Sequence, residues 1–408
     1  MPTSLTPPRA PVLIFGAHIA ALGVLRMLAA HGVRCHVVDE TSDIIVRSRW
    51  YRPAERKLAE TSDSAELANY LASLQLPSAV LIPCSDSWAL AVAGLPPSTR
   101  ERFSASTPLR ETVELFVDKD RFRRVVDRLE IPRPRSWPLS GPDDLDRLSD
   151  DQLASAFFKP TDPQLHRRHF GTKGTFVRSR EDAARLLAEG RSAGVTFILQ
   201  EWIPGDMAST LLIEGFVDRH GTIAGMVARR RLRVAPPMIG NTVSSVTIPL
   251  DEVDGALPGL RRLLAETEYR GPFNVEFKFD VRDGQFKIIE LNPRAAWYVA
   301  TIASAGLDIP WMIYRDAQHL PVEPQTTYRS GRYGLYEFRD AAAVMRYLRA
   351  FRRPEGAVLG PWLWGDHTVF WWRDPMPALH GAWQILGRRL RPPRRSASPV
   401  ESDASPPT

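Results

Sequence analysis

The stretch "GPFNVEFKFDVRDGQFKIIELNPR", residues 271–294, decides how this chain is read. Two apolar-rich runs flank "RDG", the pattern of a β-hairpin. If Arg282, Asp283 and Gly284 form a three-residue loop with Gly284 left-handed, Glu276 lies opposite Glu290 and Asn274 opposite Asn292, all on one face. Val275 and Phe277 then meet Leu291 and Ile289 on the other face, a sound core. A two-residue Asp-Gly loop would slip the pairing by one and send the glutamates to opposite faces. Facing carboxylates repel unless a cation sits between them. Two Glu and one Asn, here Glu276, Glu290 and Asn292, are the oxygen donors Mg²⁺ takes when substrate phosphates complete its octahedron. The competing reading is a solvated hairpin face. Against it stands Glu290, which follows "FKII" and precedes a proline in what reads as interior, where a lone acid is costly.

Composition narrows the surroundings of that hairpin. A chain of 408 residues, 44% hydrophobic and 25% charged, has room for two or three domains with real cores. No run approaches the roughly 18 apolar residues of a membrane span, and "MPTSLTPPRA" lacks the apolar centre of a secretory signal, so the expected location is the cytoplasm. Cys35 and Cys84 both sit in apolar runs and read as small core residues rather than a disulfide or metal pair. A net charge of +6 suits an anionic substrate, and the Arg-rich C-terminal tail carries a large share of it.

Along the chain, "PVLIFGAHIAALGVLRMLAAHGVRCHVVDE" is a strand, a helix and a second strand starting near Cys35. A further strand at "AVLIPCSD" makes an open parallel sheet covered on both faces the economical reading for residues 11–118. The turn "GAHIAALG" has His18 where a dinucleotide-binding turn needs its second glycine, which disfavours a nicotinamide enzyme. His18 and Asp86 still lie at the carboxyl ends of strands, where such sheets bind ligands, and are candidates to line an acceptor pocket. A new domain starts where Asp118 can cap a helix with apolar Phe122, Val125, Val126 and Leu129. Residues 119–318 then read as α+β. Strands are expected at "AFFKP", "GTFVRS", "TFILQEWI", "STLLIEGFVD", "TIAGMVARRRLRV" and the hairpin, with helices near 181–190 and 256–268. Residues 319–392 form an extension with no role legible in the pattern. Its tryptophans are expected to pack inward rather than hold a membrane surface, since Pro375 and Pro377 interrupt any long amphipathic helix. Residues 1–10 and 393–408 are expected to be flexible or disordered.

Several cations fall where phosphates would want them. Lys159 ends the apolar run "AFFK", and "HFGTKGTF" puts Lys173 between two glycines, one of them Gly174, in a turn whose N–H groups could close over a triphosphate; a plain glycine hairpin is the alternative. In "ARRRLRV", Arg229, Arg231 and Arg233 share a strand face, either to clamp phosphate or carboxylate or to protect a solvated edge. Nucleic-acid binding is not expected, because no aromatic residues interleave with these arginines.

Taken in order, "FVDKDRF", "FFKP", "GTKG", "ILQEWIPGD", "RRRLR", "NVEFKFDVRDG" and "IIELNPR" resemble the ATP-grasp superfamily, in particular its carboxylate-amine ligase branch with D-aspartate ligase-like proteins. The resemblance covers about residues 11–318. It implies an ATP-grasp fold, with a lid near 155–200, preceded by an open α/β domain. It also implies an enzyme that uses ATP and Mg²⁺, with Mn²⁺ as the alternative ion, to activate a carboxylate as an acyl phosphate and join it to an amine. By the same resemblance Lys119, Lys159 and Lys173 contact nucleotide phosphates, the peptide groups of Gln200, Glu201, Trp202 and Ile203 meet adenine, and Asp206 takes the ribose. Glu276, Glu290 and Asn292 match metal ligands, and Arg231 and Arg294 match arginines facing the γ-phosphate and the acyl phosphate. The implied partners are small-molecule carboxylates and amines, and a homodimer is compatible with it. A non-catalytic nucleotide-binding regulator of the same fold, or a ligase using bicarbonate or a thiol, is the alternative.

Overall fold

The computed structural model describes residues 9–38, 44–139, 141–160, 169–170, 174–177, 179–236, 240–349 and 356–389. The first sheet holds β1 (Val12–Phe15), β2 (Cys35–Val37), β3 (Ala79–Pro83) and β4 (Phe103–Ser104), all parallel, in the order β2-β1-β3-β4. Its apolar strands are covered on both faces, as a parallel sheet requires. Val12 and Ile14 belong to one core with the helix Ile19–Ala30, and Leu13 and Phe15 to another with Leu67, Leu71 and Trp88. Cys35 and Cys84 are buried in this domain, and burial pushes both thiols up to about 12, which leaves them unreactive.

A small antiparallel sheet follows: β5 (Ser136–Leu139), β6 (Ala156–Pro160), β7 (Thr175–Phe176) and β8 (Phe197–Glu201), in the order β5-β8-β6-β7. The helix Arg180–Ser192 lays Ala183, Leu186 and Leu187 into the core beneath it. The largest sheet runs β13-β12-β9-β10-β11-β14-β15, built from β9 (Thr210–Val217), β10 (Ile223–Ala235), β11 (Asn241–Ile248), β12 (Gly271–Asp280), β13 (Gln285–Asn292), β14 (Tyr333–Leu335) and β15 (Asp366–His367). Period-two alternation splits its faces. Leu211, Ile213, Ala228, Phe273, Val275 and Phe277 form one core with the helices Lys119–Arg128 and Leu257–Glu266. Their sequence neighbours, many of them charged, turn to the opposite side.

The hairpin reaches its expected pairing by another route. The loop has four residues, Val281 to Gly284, with Gly284 at φ +69°, and pairing begins at Asp280 opposite Gln285. That start alone would misplace the glutamates by one position. A β-bulge at Ile289 inserts the missing residue, so Phe277 pairs with Ile288 rather than Ile289, and Glu276 still faces Glu290 and Asn274 faces Asn292. Two one-residue departures cancel.

The extension is integral to this sheet. Strands β14 and β15 lengthen it, and two buried ion pairs fasten the extension down: Arg233 to Asp340 at 2.7 Å and Arg26 to Asp374 at 3.0 Å. The expected inward packing of the tryptophans holds only in part. Trp362 donates to Asp340 and Trp371 lies against Arg26, but Trp364, Trp372 and Trp383 are 75%, 84% and 72% exposed. No helix among the described residues is long and apolar enough to cross a membrane.

Candidate active site

The polar face of the large sheet is the floor of a cleft of about 730 Å³, roofed by the small sheet. From the floor rise Arg229 and Arg231 of β10, Asn274, Glu276 and Lys278 of β12, and Ile289, Glu290 and Asn292 of β13. From the roof come Phe157 and Lys159 of β6 and Gly174, and the stretch Gln200–Ile203 closes the back. Lys119, at the start of a helix capped by Asp118, reaches across and donates to the Pro160 carbonyl at 2.5 Å, beside Lys159. Of the fourteen residues matched in the sequence to nucleotide, metal or phosphoryl contacts, twelve line this one space.

The other two do not appear there. Lys173 lies outside the described residues. Asp206 is not among the lining residues; its Oδ1 accepts from the Ser209 N–H and hydroxyl, both at 3.0 Å, and caps a short turn. Gly174 is needed for packing: a Cβ there would stand 2.9 Å from the Phe158 carbonyl oxygen, so any side chain would push β7 off β6.

In the stretch Gln200–Ile203, the hinge between the small sheet and the large one, the Glu201 carboxylate is buried and bonded by Arg135 and Arg282. Burial pushes this carboxyl up, but bonds from those two arginines hold it below the usual range. Arg282 also pairs with Asp280 at 2.6 Å, so the hairpin loop is tied to the hinge strand. The N–H groups of Glu201 and Trp202 are already spent, on the Arg135 and Ser155 carbonyls, each at 2.8 Å. Those two N–H groups are therefore engaged within the protein.

The three arginines of β10 have separate engagements rather than forming one clamp. Arg229 is fully buried, bonded to Glu214 and to Ser245, and lies 4.5 Å over the Tyr298 ring, while Asn274 donates to the same Glu214 at 2.9 Å. Arg233 is turned to Asp340. A buried guanidinium demands a partner, and each of these two has one under or beside the floor. Of the three, Arg231 reaches the facing glutamates: it donates to Glu276 Oε2 at 2.6 Å and to Thr242 at 2.8 Å.

Lys278 escaped the sequence reading, although it shares the Glu276 face by simple alternation. It is 7% exposed, and its Nζ lies 4.5 Å from the centre of the Trp202 ring. Burial first, and Arg231 second, push this ammonium down to about 8, against the pull of Glu276, Asp206 and Asp280. It thus stands between the hinge and the carboxylate pair.

At the far end, Arg294 donates to Asp86 Oδ1 at 2.6 Å, joining the end of β13 to the first domain. Burial works against the charge of Arg294, and Asp86 and Glu290 more than offset it. Beyond lies a smaller cavity of about 190 Å³ lined by His18, Trp297, Tyr336 and Arg339, among others. Trp297 and Arg339 border both spaces.

A charged β floor clasped under a small antiparallel sheet, joined to an open parallel α/β domain, is the ATP-grasp fold. Solved structures carry it. The ADP complex of N5-carboxyaminoimidazole ribonucleotide synthetase superposes with a TM-score of 0.60, covering 84% of this chain and 85% of that one at 14% identity. The L-amino acid ligase from Bacillus licheniformis gives 0.55 over 77% and 75% at 12% identity. In sequence, the chain is 25% identical over 259 residues to the D-aspartate ligase of Enterococcus faecium (strain Aus0004), matching 61% of each chain, so the match spans under two thirds of that relative's length. No protein-family model matches.

Proposed function

We propose that this protein is an ATP- and Mg²⁺-dependent ligase that activates the carboxylate of an amino-acid-like substrate as an acyl phosphate and joins it to an amine. The observation that carries this is the facing pair Glu276 and Glu290, with Asn292 beside them, at the centre of a cleft that also gathers Lys119, Lys159, Lys278, Arg231 and Arg294. Such a donor set of two carboxylates and an amide oxygen fits Mg²⁺. The ion, when bound, supplies charge neutralisation on the nucleotide phosphates.

The residues divide the remaining work. The end of the hinge takes the adenine edge, and Lys119, Lys159 and Lys278 take the phosphates. Asp206, whose Oδ1 holds the Ser209 turn, would take the ribose through its other carboxylate oxygen. A substrate carboxylate oxygen attacks the γ-phosphorus, the bond from phosphorus to the bridging oxygen breaks, and ADP leaves. Arg231 and Arg294 offset the negative charge as it moves. The amine nitrogen then attacks the acyl carbon, phosphate leaves, and the amine proton is lost to solvent or phosphate. The smaller cavity, which shares Trp297 and Arg339 with the cleft, is the place for the amine or acid partner, with His18 in its lining.

The experiment is ADP release with Mg²⁺ against a panel of D- and L-amino acids, singly and in pairs. Release that requires a particular acid and amine supports the ligase. Nucleotide binding without release under any pair would replace it with a non-catalytic binder.

Lys278 gives a second expectation. Its ammonium loses charge as pH rises through about 8, whereas in the unfolded chain it stays charged to about 10.4. Between those values the unfolded chain holds the extra proton, so this residue makes the free protein more stable as pH rises. Phosphates favour the charged form, so nucleotide binding above about pH 8 takes up a proton and weakens, by at most about tenfold per pH unit. Calorimetric titration should show that slope in the wild type and its loss in Lys278→Met. An equal slope in both would remove Lys278 from the phosphate site.

A further inference from the structure

The helix Met376–Arg389 is built inside out. Its inward side is small: Ala378 and Gly381 are buried, and a Cβ on Gly381 would come 2.6 Å from the Phe338 ring, so the helix lies flush on its support. Its large apolar residues point outward. Met376, Leu379, Trp383 and Leu386, spaced three, four and three apart, are 53%, 58%, 72% and 52% exposed and form one stripe. A soluble surface helix has the opposite arrangement. Leu359, Leu363, Trp364 and Trp372 of the same extension are also exposed, as are Met345 and Leu348 of the helix Glu337–Arg349. Exposure of apolar side chains on this scale marks an interaction surface.

Charge says what kind of partner. Four acids of this region are engaged within the protein: Asp340 is taken by Arg233, Asp374 by Arg26, Asp366 by Arg332, and Glu337 accepts from the Val369 and Phe370 N–H groups. Arg346, Arg349 and Arg373 stay exposed, and residues 387–395 read "GRRLRPPRR", five arginines and no acid. A second copy of the chain would bring two surfaces of like charge together, which opposes self-association. An anionic lipid surface would take the apolar stripe at its acyl boundary and the arginines at its headgroups, the arrangement of interfacial helices with a polybasic flank.

We propose that this extension docks the protein on the surface of a membrane rich in anionic lipid, with Leu379 and Trp383 entering the interface. The inference stands apart from the catalytic reading. The test is co-sedimentation of the full-length protein with vesicles of phosphatidylglycerol and phosphatidylcholine, against phosphatidylcholine alone, at low and high salt. The expected result is binding to the anionic vesicles at low salt, reduced about tenfold or more by Leu379→Glu with Trp383→Glu, and weakened in graded fashion by Arg346→Gln with Arg349→Gln. Unchanged thermal melting of these surface variants shows that folding is intact. Two outcomes overturn the proposal: wild type that stays in the supernatant with anionic vesicles, and a concentration-dependent dimer in sedimentation velocity that Trp383→Glu dissolves while vesicle binding is absent.

Discussion

Glu290→Gln is expected to lower amino-acid-dependent ADP formation by at least about a hundredfold, and to do so without loss of fold. Glu290 stands opposite Glu276 at the end of β13, partly buried, and its Oε1 accepts from the Asn292 side chain at 3.3 Å. Glutamine keeps its shape and removes one negative charge from an oxygen set proposed to hold a divalent ion. In the free protein the change relieves repulsion between facing carboxylates, so the metal-free variant should melt at or above the wild-type temperature. The stabilisation that Mg²⁺ adds to nucleotide-bound protein should vanish with it. Thermal melts with nucleotide, with and without Mg²⁺, together with turnover, check both halves. Near wild-type turnover at saturating Mg²⁺ would leave the pair as ordinary surface charges, whose substitution costs a few tenths of a kcal/mol.

The facing glutamates were legible in the sequence because a strand's faces alternate and its loop fixes the register. They were legible partly by luck, since the loop is one residue longer than "RDG" and the bulge at Ile289 restores the count. A bulge leaves no clear mark in composition. Lys278 was equally readable from the alternation that placed Glu276, two residues away, and was missed because its partner Trp202 comes from the loop after β8, far away in sequence. The same limit explains the arginines of β10. Alternation finds their shared face, but what each one meets is set by contacts far apart in sequence: Arg233 with Asp340, and Arg231 with Glu276. Asp206, a position carried over by likeness, uses one carboxylate oxygen in a local turn with Ser209. The extension was opaque because its two strands are short and owe their place to the edge of β11.

Arg231 makes the sharper test, because it occupies Glu276 in the free protein and is also proposed to neutralise the γ-phosphate. Its guanidinium and the Glu276 carboxylate are 11% and 19% exposed and 2.6 Å apart, so it is the directly bonded counterion of Glu276 before a metal arrives. Arg231→Met keeps the length and apolar stem and removes the charge. The free variant is expected to lose about 1–3 kcal/mol of stability, the cost of leaving a mostly buried carboxylate without its partner. Mg²⁺ alone should then stabilise the variant more than the wild type, since the ion no longer competes with a guanidinium for Glu276. Turnover should fall by about a hundred- to a thousandfold even at saturating Mg²⁺, because the ion cannot also serve where the arginine faces the phosphoryl group. Adding Glu290→Gln to Arg231→Met should restore most of the lost stability and none of the turnover, a non-additivity that follows only if the two side chains act on one cluster of charge. Equal stability and an equal Mg²⁺ response in Arg231→Met and wild type would show that Glu276 neither depends on this guanidinium nor takes the ion in its place, and the metal reading of the hairpin would lose its physical basis.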